Sequence, residues 1–467
     1  MKLKMKKKLL LLLLSSVLCL PTFAESMCVN LKNGETVSFD LEDIKDITIC
    51  ENIPVVDESE TPLKFKILSE NTVEVIEDAS YKELNSVSVP AKVRIDGKVY
   101  DVTSIGDMAF YECSSLTRIN IPESVSSIGN SVFSGCDKLD PKLLVYDKGA
   151  KCYGWIGSKD SCINVAIPSG VKSIENYAFY NCNGLTSIEI PNSLNSILSY
   201  TFYGCTGLTS INIPDGVTSI GVDAFEGCSG LTSINIPNSV TSIENYAFEK
   251  CSSLTSINIP DSVTFIGKNV FEGCSGLTSI EIPESVTSIG EMAFYGCSGL
   301  TSINIPDSVT SIGDMAFYNC SKLTSINIPD NVTSIGDMAF YNCSKLDPKL
   351  LVYNKGTKCY GWIGDRKRCT AIVIPEGVIS IGSHAFYYCS SLTSIEIPNS
   401  VTLIGEKVFY FCSSLTNISI PGSVTSIGKN VFEGCPYLDV VIDNSKNNVK
   451  VGYDAFKNCK SVTWLKE

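Results

Sequence analysis

The chain has 467 residues, 44% hydrophobic and 19% charged, ordinary values for a folded protein. Its formal charge is −13, and it falls to about −18 once the first 24 residues, with five lysines and no acids, are set aside (37 − 5 = 32 basic against 50 acidic side chains). An acid surplus of that size repels phosphate backbones, so nucleic acid is excluded as a natural partner.

The first element is a secretory signal over residues 1–24. Lys2, Lys4, Lys6, Lys7 and Lys8 precede an apolar run from Leu9 to Leu20, and Thr22-Phe23-Ala24 offers small residues for cleavage. The run is 12 residues long, short of the roughly 20 that span a bilayer. Bulky Leu18 before Cys19 disfavours lipid attachment at that cysteine. With no later transmembrane candidate, the expected location is exported: extracellular or at the cell surface.

Residues 25–60 read as a β-hairpin cap and linker. In "VNLKNGETVSF" the Asn33-Gly34 pair suits a tight turn between alternating strands, and "IPVVDESETP" follows as the linker. Residues 61–112 hold leading strands, "LKFKILSENTVEVIE" and "VRIDGKVYDVTSIGDMAF", that merge into a first repeat.

From there one period governs the chain. Cysteine falls at 113, 136, 182, 205, 228, 251, 274, 297, 320, 343, 389, 412, 435 and 459, in steps of 23 or 46 with a last step of 24. Phenylalanine keeps step three residues earlier, from Phe110 to Phe456, and proline marks the phase at Pro122, Pro191, Pro237, Pro306 and Pro421. A fixed period of this length means a solenoid, here of about sixteen coils and, at ~4.8 Å per parallel strand, ~75–80 Å long.

The block from Leu300 to Lys322, "LTSINIPDSVTSIGDMAFYNCSK", shows how one coil closes. "LTSINI" predicts a short strand with Leu300, Ile303 and Ile305 inward and Ser302 and Asn304 outward. Pro306-Asp307-Ser308 is turn chemistry, and "VTSIG" predicts a second short strand with Val309 and Ile312 inward. "DMAFYNC" predicts a helical turn burying Ala316, Phe317 and Cys320. The next 23-residue block differs only in having Asn331 where this one has Ser308.

Two units break the pattern and break it alike: "KLDPKLLVYDKGAKCYGWIGSKDSC" (138–162) and "KLDPKLLVYNKGTKCYGWIGDRKRC" (345–369). They lie 207 residues apart, nine periods, so register survives. In both, the ladder cysteine moves three places on, to Cys162 and Cys369, and "KCYGWIG" takes the place of the "AFxxC" turn. The array spans 113–435, and the longer, more polar unit over 436–467 is the C-terminal capping repeat.

The repeated "LTSIxIPxSVTSIGxxAFxxCS" resembles the BspA-like leucine-rich repeats of treponemal and Bacteroidetes-type surface proteins, over about residues 84–465. That resemblance implies a right-handed superhelix of leucine-rich-repeat type. It places the strands in a concave parallel sheet and the helical turns on the convex side. It also implies a surface protein that binds other macromolecules, extracellular matrix proteins among them. The sequence departs from common leucine-rich repeats in carrying "IP" where many have an asparagine ladder.

No nucleophile–base constellation, phosphate loop or HExxH appears, and His384 is the single histidine, expected in solvent beside the Ala385-Phe386 pair. Cysteines 23 apart supply one metal ligand per coil, too few for zinc, and no cofactor is expected. The ladder cysteines are expected as buried thiols, because stacked equivalents point the same way. Off the ladder, Cys152 with Cys162, Cys359 with Cys369, and Cys28 with Cys50 are candidate disulfides.

Two surfaces are candidate ligand sites. One is aromatic: Tyr153, Trp155, Tyr360 and Trp362 in the variant units, read either as ligand-facing rings or as fillers for the missing phenylalanine. The other is the outward strand row, with Asn212, Asn235, Asn258, Asn304 and Asn327 beside serines, read as a multivalent surface or a solvated sheet. The functional expectation is a non-catalytic, adhesin-like binding protein for host or bacterial surface proteins or glycans. The alternative is a structural spacer or self-associating scaffold.

Overall fold

The computed structural model describes residues 26–30, 36–40, 53–353 and 356–467. The signal segment and Cys50 lie outside the described residues. Ser26–Asn30 and Thr36–Asp40 form an antiparallel hairpin with Cys28 opposite Ser38.

Each regular coil is closed by the division of labour its sequence suggests. Ser302–Asn304 pairs in parallel with Ser325–Asn327, residue on equivalent residue, and Ser311–Ile312 pairs with Ser334–Ile335. The inward set of this coil, Leu300, Ile303, Ile305, Val309, Ile312, Ala316, Phe317 and Cys320, is 4% exposed or less. A single coil has no second layer to cover these groups; the coils on either side do so, as in any solenoid.

The expected helical turn is replaced by something else. Met315 and Asn319 sit at φ 52° and 60°, left-handed positions that a helical turn does not contain. Every second N–H reaches the next coil instead: Met315 donates to Asp337 O (2.9 Å), Phe317 to Ala339 O (2.8 Å) and Asn319 to Tyr341 O (3.0 Å). The turn thus adds a third coil-to-coil backbone ladder, which offsets the ~1 kcal/mol or more that each left-handed non-glycine residue costs. Helix among the described residues is confined to short 3-10 turns such as Lys159–Ser161 and Arg366–Arg368.

Inside, like stacks on like. The rings of Phe179, Phe202, Phe225, Phe248, Phe271, Phe294, Phe317 and Phe340 form one column with centroids 5.2–5.9 Å apart. Beside it, the thiols of the regular coils donate to the phenylalanine carbonyl of the preceding coil, Cys228 to Phe202 O at 3.1 Å and Cys320 to Phe294 O at 3.2 Å. The 23-residue step therefore satisfies the sulfur without a second cysteine.

At the N-terminal end Thr72–Val75 and Lys98–Ile105 run parallel and lead into Ser127–Ile128 of the array. At the C-terminal end Asp439–Ile442 and Ser461–Trp464 form the last parallel rungs.

The variant units are antiparallel hairpins. Lys142–Tyr146 pairs with Lys151–Ile156, and Lys349–Tyr353 with Lys358–Ile363, each with a bulge at the fourth residue. The return strand hands the second ladder onward, Lys151–Cys152 pairing with Ser173–Ile174 and Lys358–Cys359 with Ser380–Ile381. The first-strand ladder does not cross: Arg118–Asn120 pairs backward with Ser86–Ser88, and Asn164–Ala166 pairs forward with Ser187–Glu189. The buried apolar groups accordingly fall into three clusters, Leu63–Ile156, Cys152–Ile363 and Cys359–Ala455, which meet at the hairpins.

Candidate binding sites

The strand row is built by alternation. In each "SIN" strand the isoleucine points in, while serine and asparagine are exposed. Asn212 pairs in register with Asn235, Asn258 bridges to Glu281, and Asn304 pairs with Asn327. The Asn327 amide donates to Asn304 Oδ1 at 3.3 Å, so neighbouring coils hold each other's side chains in line. An open depression of about 870 Å³ crosses three coils here, lined by Ser279, Glu281, Ser302, Asn304, Ser325 and Asn327. Threonines flanking the strands tie it down: Thr301 Oγ1 donates to Thr278 O at 3.2 Å, and Thr324 Oγ1 to Thr301 O at 3.0 Å.

The four variant-unit aromatics divide between neighbouring cores. Tyr153 turns back onto the first core, its ring edge-on to Phe133 at 5.6 Å, and its hydroxyl accepts from Val132 N at 3.0 Å. Burial pushes its phenol up to about 12. Trp155 turns forward; it is half-buried and its indole N–H donates to Ser158 O at 3.0 Å. Trp362 repeats that bond to Asp365 O at 3.1 Å. Tyr360 departs from its counterpart: its hydroxyl donates to Thr333 O (3.4 Å) and Lys358 Nζ lies 4.5 Å over its ring.

The local disulfide pairings need correction. Cys152, Cys162, Cys359 and Cys369 are free and fully buried. Each hairpin strand places Cys152 or Cys359 on its own ladder, and the 3-10 turn that follows carries Cys162 and Cys369 away to the next coil. There Cys162 faces Cys182 and Cys369 faces Cys389, an interaction that raises the pKa of the first thiol of each pair and lowers that of the second. The side chains of Cys28 and Cys50 lie outside what the structure describes. His384 is also not in free solvent: its side chain is 17% exposed, Nδ1 stands 3.7 Å from the Asp337 carboxylate, and its ring meets Tyr387 edge-on at 5.3 Å.

The surface also carries a feature that the sequence reading missed, paired tyrosines on the turn side. Tyr177 stacks on Tyr200 at 4.7 Å and Tyr180 on Tyr203 at 4.8 Å. Tyr295, Tyr318 and Tyr341 stack at 4.9 Å steps. Their spacing of 23 was available as a signal. Among the described residues no cluster of three metal-ligating side chains occurs, and no helix is long and apolar enough to cross a membrane.

Parallel rungs every 23 residues, an inward Leu-Ile-Val-Phe-Cys set and polar outward strands define a leucine-rich-repeat solenoid of about sixteen coils. The chain belongs to the BspA-type leucine-rich repeat family, whose model, a BspA type leucine rich repeat region of 6 copies, matches residues 58–141, 157–278, 264–352 and 365–465. The matched segments stop at the hairpins and resume after them.

Among solved structures, a leucine-rich repeat protein from Bacteroides ovatus is 28% identical over 86% of this chain and 98% of its own, with a TM-score of 0.47. A leucine rich cell surface protein from Faecalibacterium prausnitzii is 24% identical over 87% of this chain and 93% of its own (TM-score 0.41). The T. pallidum leucine rich repeat protein is 31% identical over 44% of this chain and 88% of its own (TM-score 0.35). A comparison with curated proteins finds no match.

Proposed function

We propose that this chain is a non-catalytic, exported binding protein of the cell surface or its surroundings, adhesin-like in its action. It engages proteins of host or neighbouring cells through the strand row. Membership of a repeat family of surface proteins is consistent with a binding or scaffold role. The observation that carries the reading is the depression across Ser279–Asn327, where three coils present serine with Glu281, Asn304 or Asn327 on one open face.

Such a row has no single aromatic or arginine anchor, so affinity must come from many weak, equivalent contacts held at a fixed spacing. A rigid acidic array gives that spacing without ordering costs at the moment of binding.

The test is binding of the mature chain to immobilised extracellular matrix proteins, with arrays shortened by whole 23-residue coils between intact ends. The expected result is an affinity that falls with each coil removed. No external partner, together with concentration-dependent self-association, would replace this reading with a structural spacer.

A further inference from the structure

The two variant units are near-duplicates in sequence but not in surface. At the first, the space left by the missing turn is open. A notch of about 460 Å³ lies between the turn of the preceding coil, at Asn130–Asp137, and that of the following coil, at Glu175–Asn181, with Trp155 and Lys159 in its lining. This volume is within the ~300–1,000 Å³ of small-molecule sites.

At the second unit, side chains bridge the same space. Tyr341 stands where the first has Ser134, and Arg366 where it has Lys159. The guanidinium lies 4.5 Å over the Tyr341 ring and donates to Tyr387 O at 2.5 Å, and the Tyr341 and Tyr387 rings meet at 5.8 Å. Ser134 offers no ring, and the Lys159 ammonium is drawn back onto Trp155 O at 2.7 Å.

We propose that the notch at Trp155 is a binding site for a neutral saccharide. Three features of its lining select that chemistry. First, its lining offers aromatic surface, Trp155, Tyr177 and Tyr180 among it, against which the C–H face of a sugar ring packs. Tyr177 is 48% exposed yet held by its stack on Tyr200, so little side-chain freedom remains to be lost on binding.

Second, the polar groups between the rings are amides and carboxylates, among them Asn176, Asn181 and Asp137. Together they present both donors and acceptors to hydroxyl groups. Third, the charge pattern rejects anions. Lys159 is the one cation among the lining residues and it is engaged by a carbonyl, while Asp137 and Glu175 repel phosphate or sulfate. Glu175 itself accepts the Tyr146 hydroxyl at 2.8 Å, which fixes its place in the wall.

This site shares no lining residue with the strand-row depression, so it stands or falls apart from the function proposed above.

The second unit supplies the control. The double change Ser134→Tyr with Lys159→Arg transplants the bridge that this fold already accepts one duplication away, closing the notch without removing a core side chain. A second variant, Asn176→Ala with Tyr177→Ser, strips two exposed lining groups and leaves every buried side chain in place. The probe is an array of neutral, sulfated and amine-bearing oligosaccharides, followed by calorimetric titration of the neutral glycan retained best.

The expected result is retention of a neutral glycan, and a loss of about tenfold or more in affinity both on closure and in the Asn176→Ala, Tyr177→Ser variant, at an unchanged melting temperature. Retention of no neutral glycan, retention of charged glycans alone, or equal affinity in the closed variant would overturn the proposal. If closure lowers the melting temperature, the Asn176→Ala, Tyr177→Ser variant decides: an unchanged affinity there also overturns it.

Discussion

Replacing Phe248 by alanine tests the column that runs through the middle of the array. The ring is fully buried, and its neighbours Phe225 and Phe271 stack on it at 5.4 and 5.9 Å. Buried Phe→Ala changes cost about 3–5 kcal/mol, and the upper half of that range applies where the surroundings cannot collapse. Collapse is resisted here because each neighbouring ring belongs to a coil pinned by its own backbone bonds, such as Phe248 N to Val270 O at 3.0 Å.

We therefore expect a loss of about 4 kcal/mol, confined to the central cluster between the hairpins. At Phe456, half-buried with one ring neighbour at 5.8 Å, the same change should cost roughly 2 kcal/mol. Native-state hydrogen exchange reads both the size and the reach of the effect. Amides of residues 164–351 should exchange about a hundredfold faster or more, and those near Val73 or Ile427 should keep their protection. Equal acceleration in all three clusters, or a loss below about 1 kcal/mol, would refute both the column's role and the division at the hairpins.

Three further perturbations follow from the same geometry. Burial, then a hydrogen bond with Glu226, raises Asp223 to about 6, so its ionised form is disfavoured in the fold. Its contribution to stability is greatest when protonated and declines as pH rises from about 4 to about 6; in Asp223→Asn that decline should vanish, as denaturant titrations at several pH values will show. Gly154 sits at φ +118° with Ala178 O only 1.9 Å from where a Cβ would be, whereas Gly149, at φ +85°, faces open space. Gly154→Ala should cost about 3 kcal/mol or more and Gly149→Ala about 1, compared by chemical denaturation; similar losses would contradict the close approach. Burial pushes the thiols of Cys228 and Cys274 up to about 12, while half-buried Cys459 rises only to about 11. Alkylation of the native protein should therefore mark Cys459 before Cys228 and Cys274, and early labelling of Cys228 by peptide mass mapping would count against the sealed core.

Period and phase made most of the coil legible. Ile303 and Ile312 point inward because strand alternation leaves them no other face, and the one variable turn residue is tolerated for a visible reason. Ser308 Oγ donates to Val286 O at 2.6 Å, and Asn331 Nδ2 donates to Asp307 O at 2.9 Å, so either side chain reaches the coil before it. The turn at Met315 differs from the expected helix because methionine and alanine favour helix locally, while the gain from axial N–H bonds arises only when coils stack. The hairpins carried a readable signal, Asp147-Lys148-Gly149 between the alternating runs "KLLVY" and "KCYGWI", that the cysteine shift drew attention away from. The partner of Cys162 was not readable, since its meeting with Cys182 depends on where the 3-10 turn ends.

In a solenoid, a change made in one coil alone must still match two neighbours, which is why the regular coils hold so little variety. The hairpins escape this constraint because they interrupt the first-strand ladder and end the phenylalanine column at Phe133 and Phe340. Side chains there answer to a single neighbour, and duplication supplied two copies free to diverge. Divergence is what the surface shows: Arg366 on Tyr341 bridges one copy, and Ser134 leaves the other open. On the function proposed, the strand row would tune affinity mainly through coil number, because most of its contacts are alike. Chemical selectivity would then reside where the repeat is broken, and the notch at Trp155 is the open one of these two breaks.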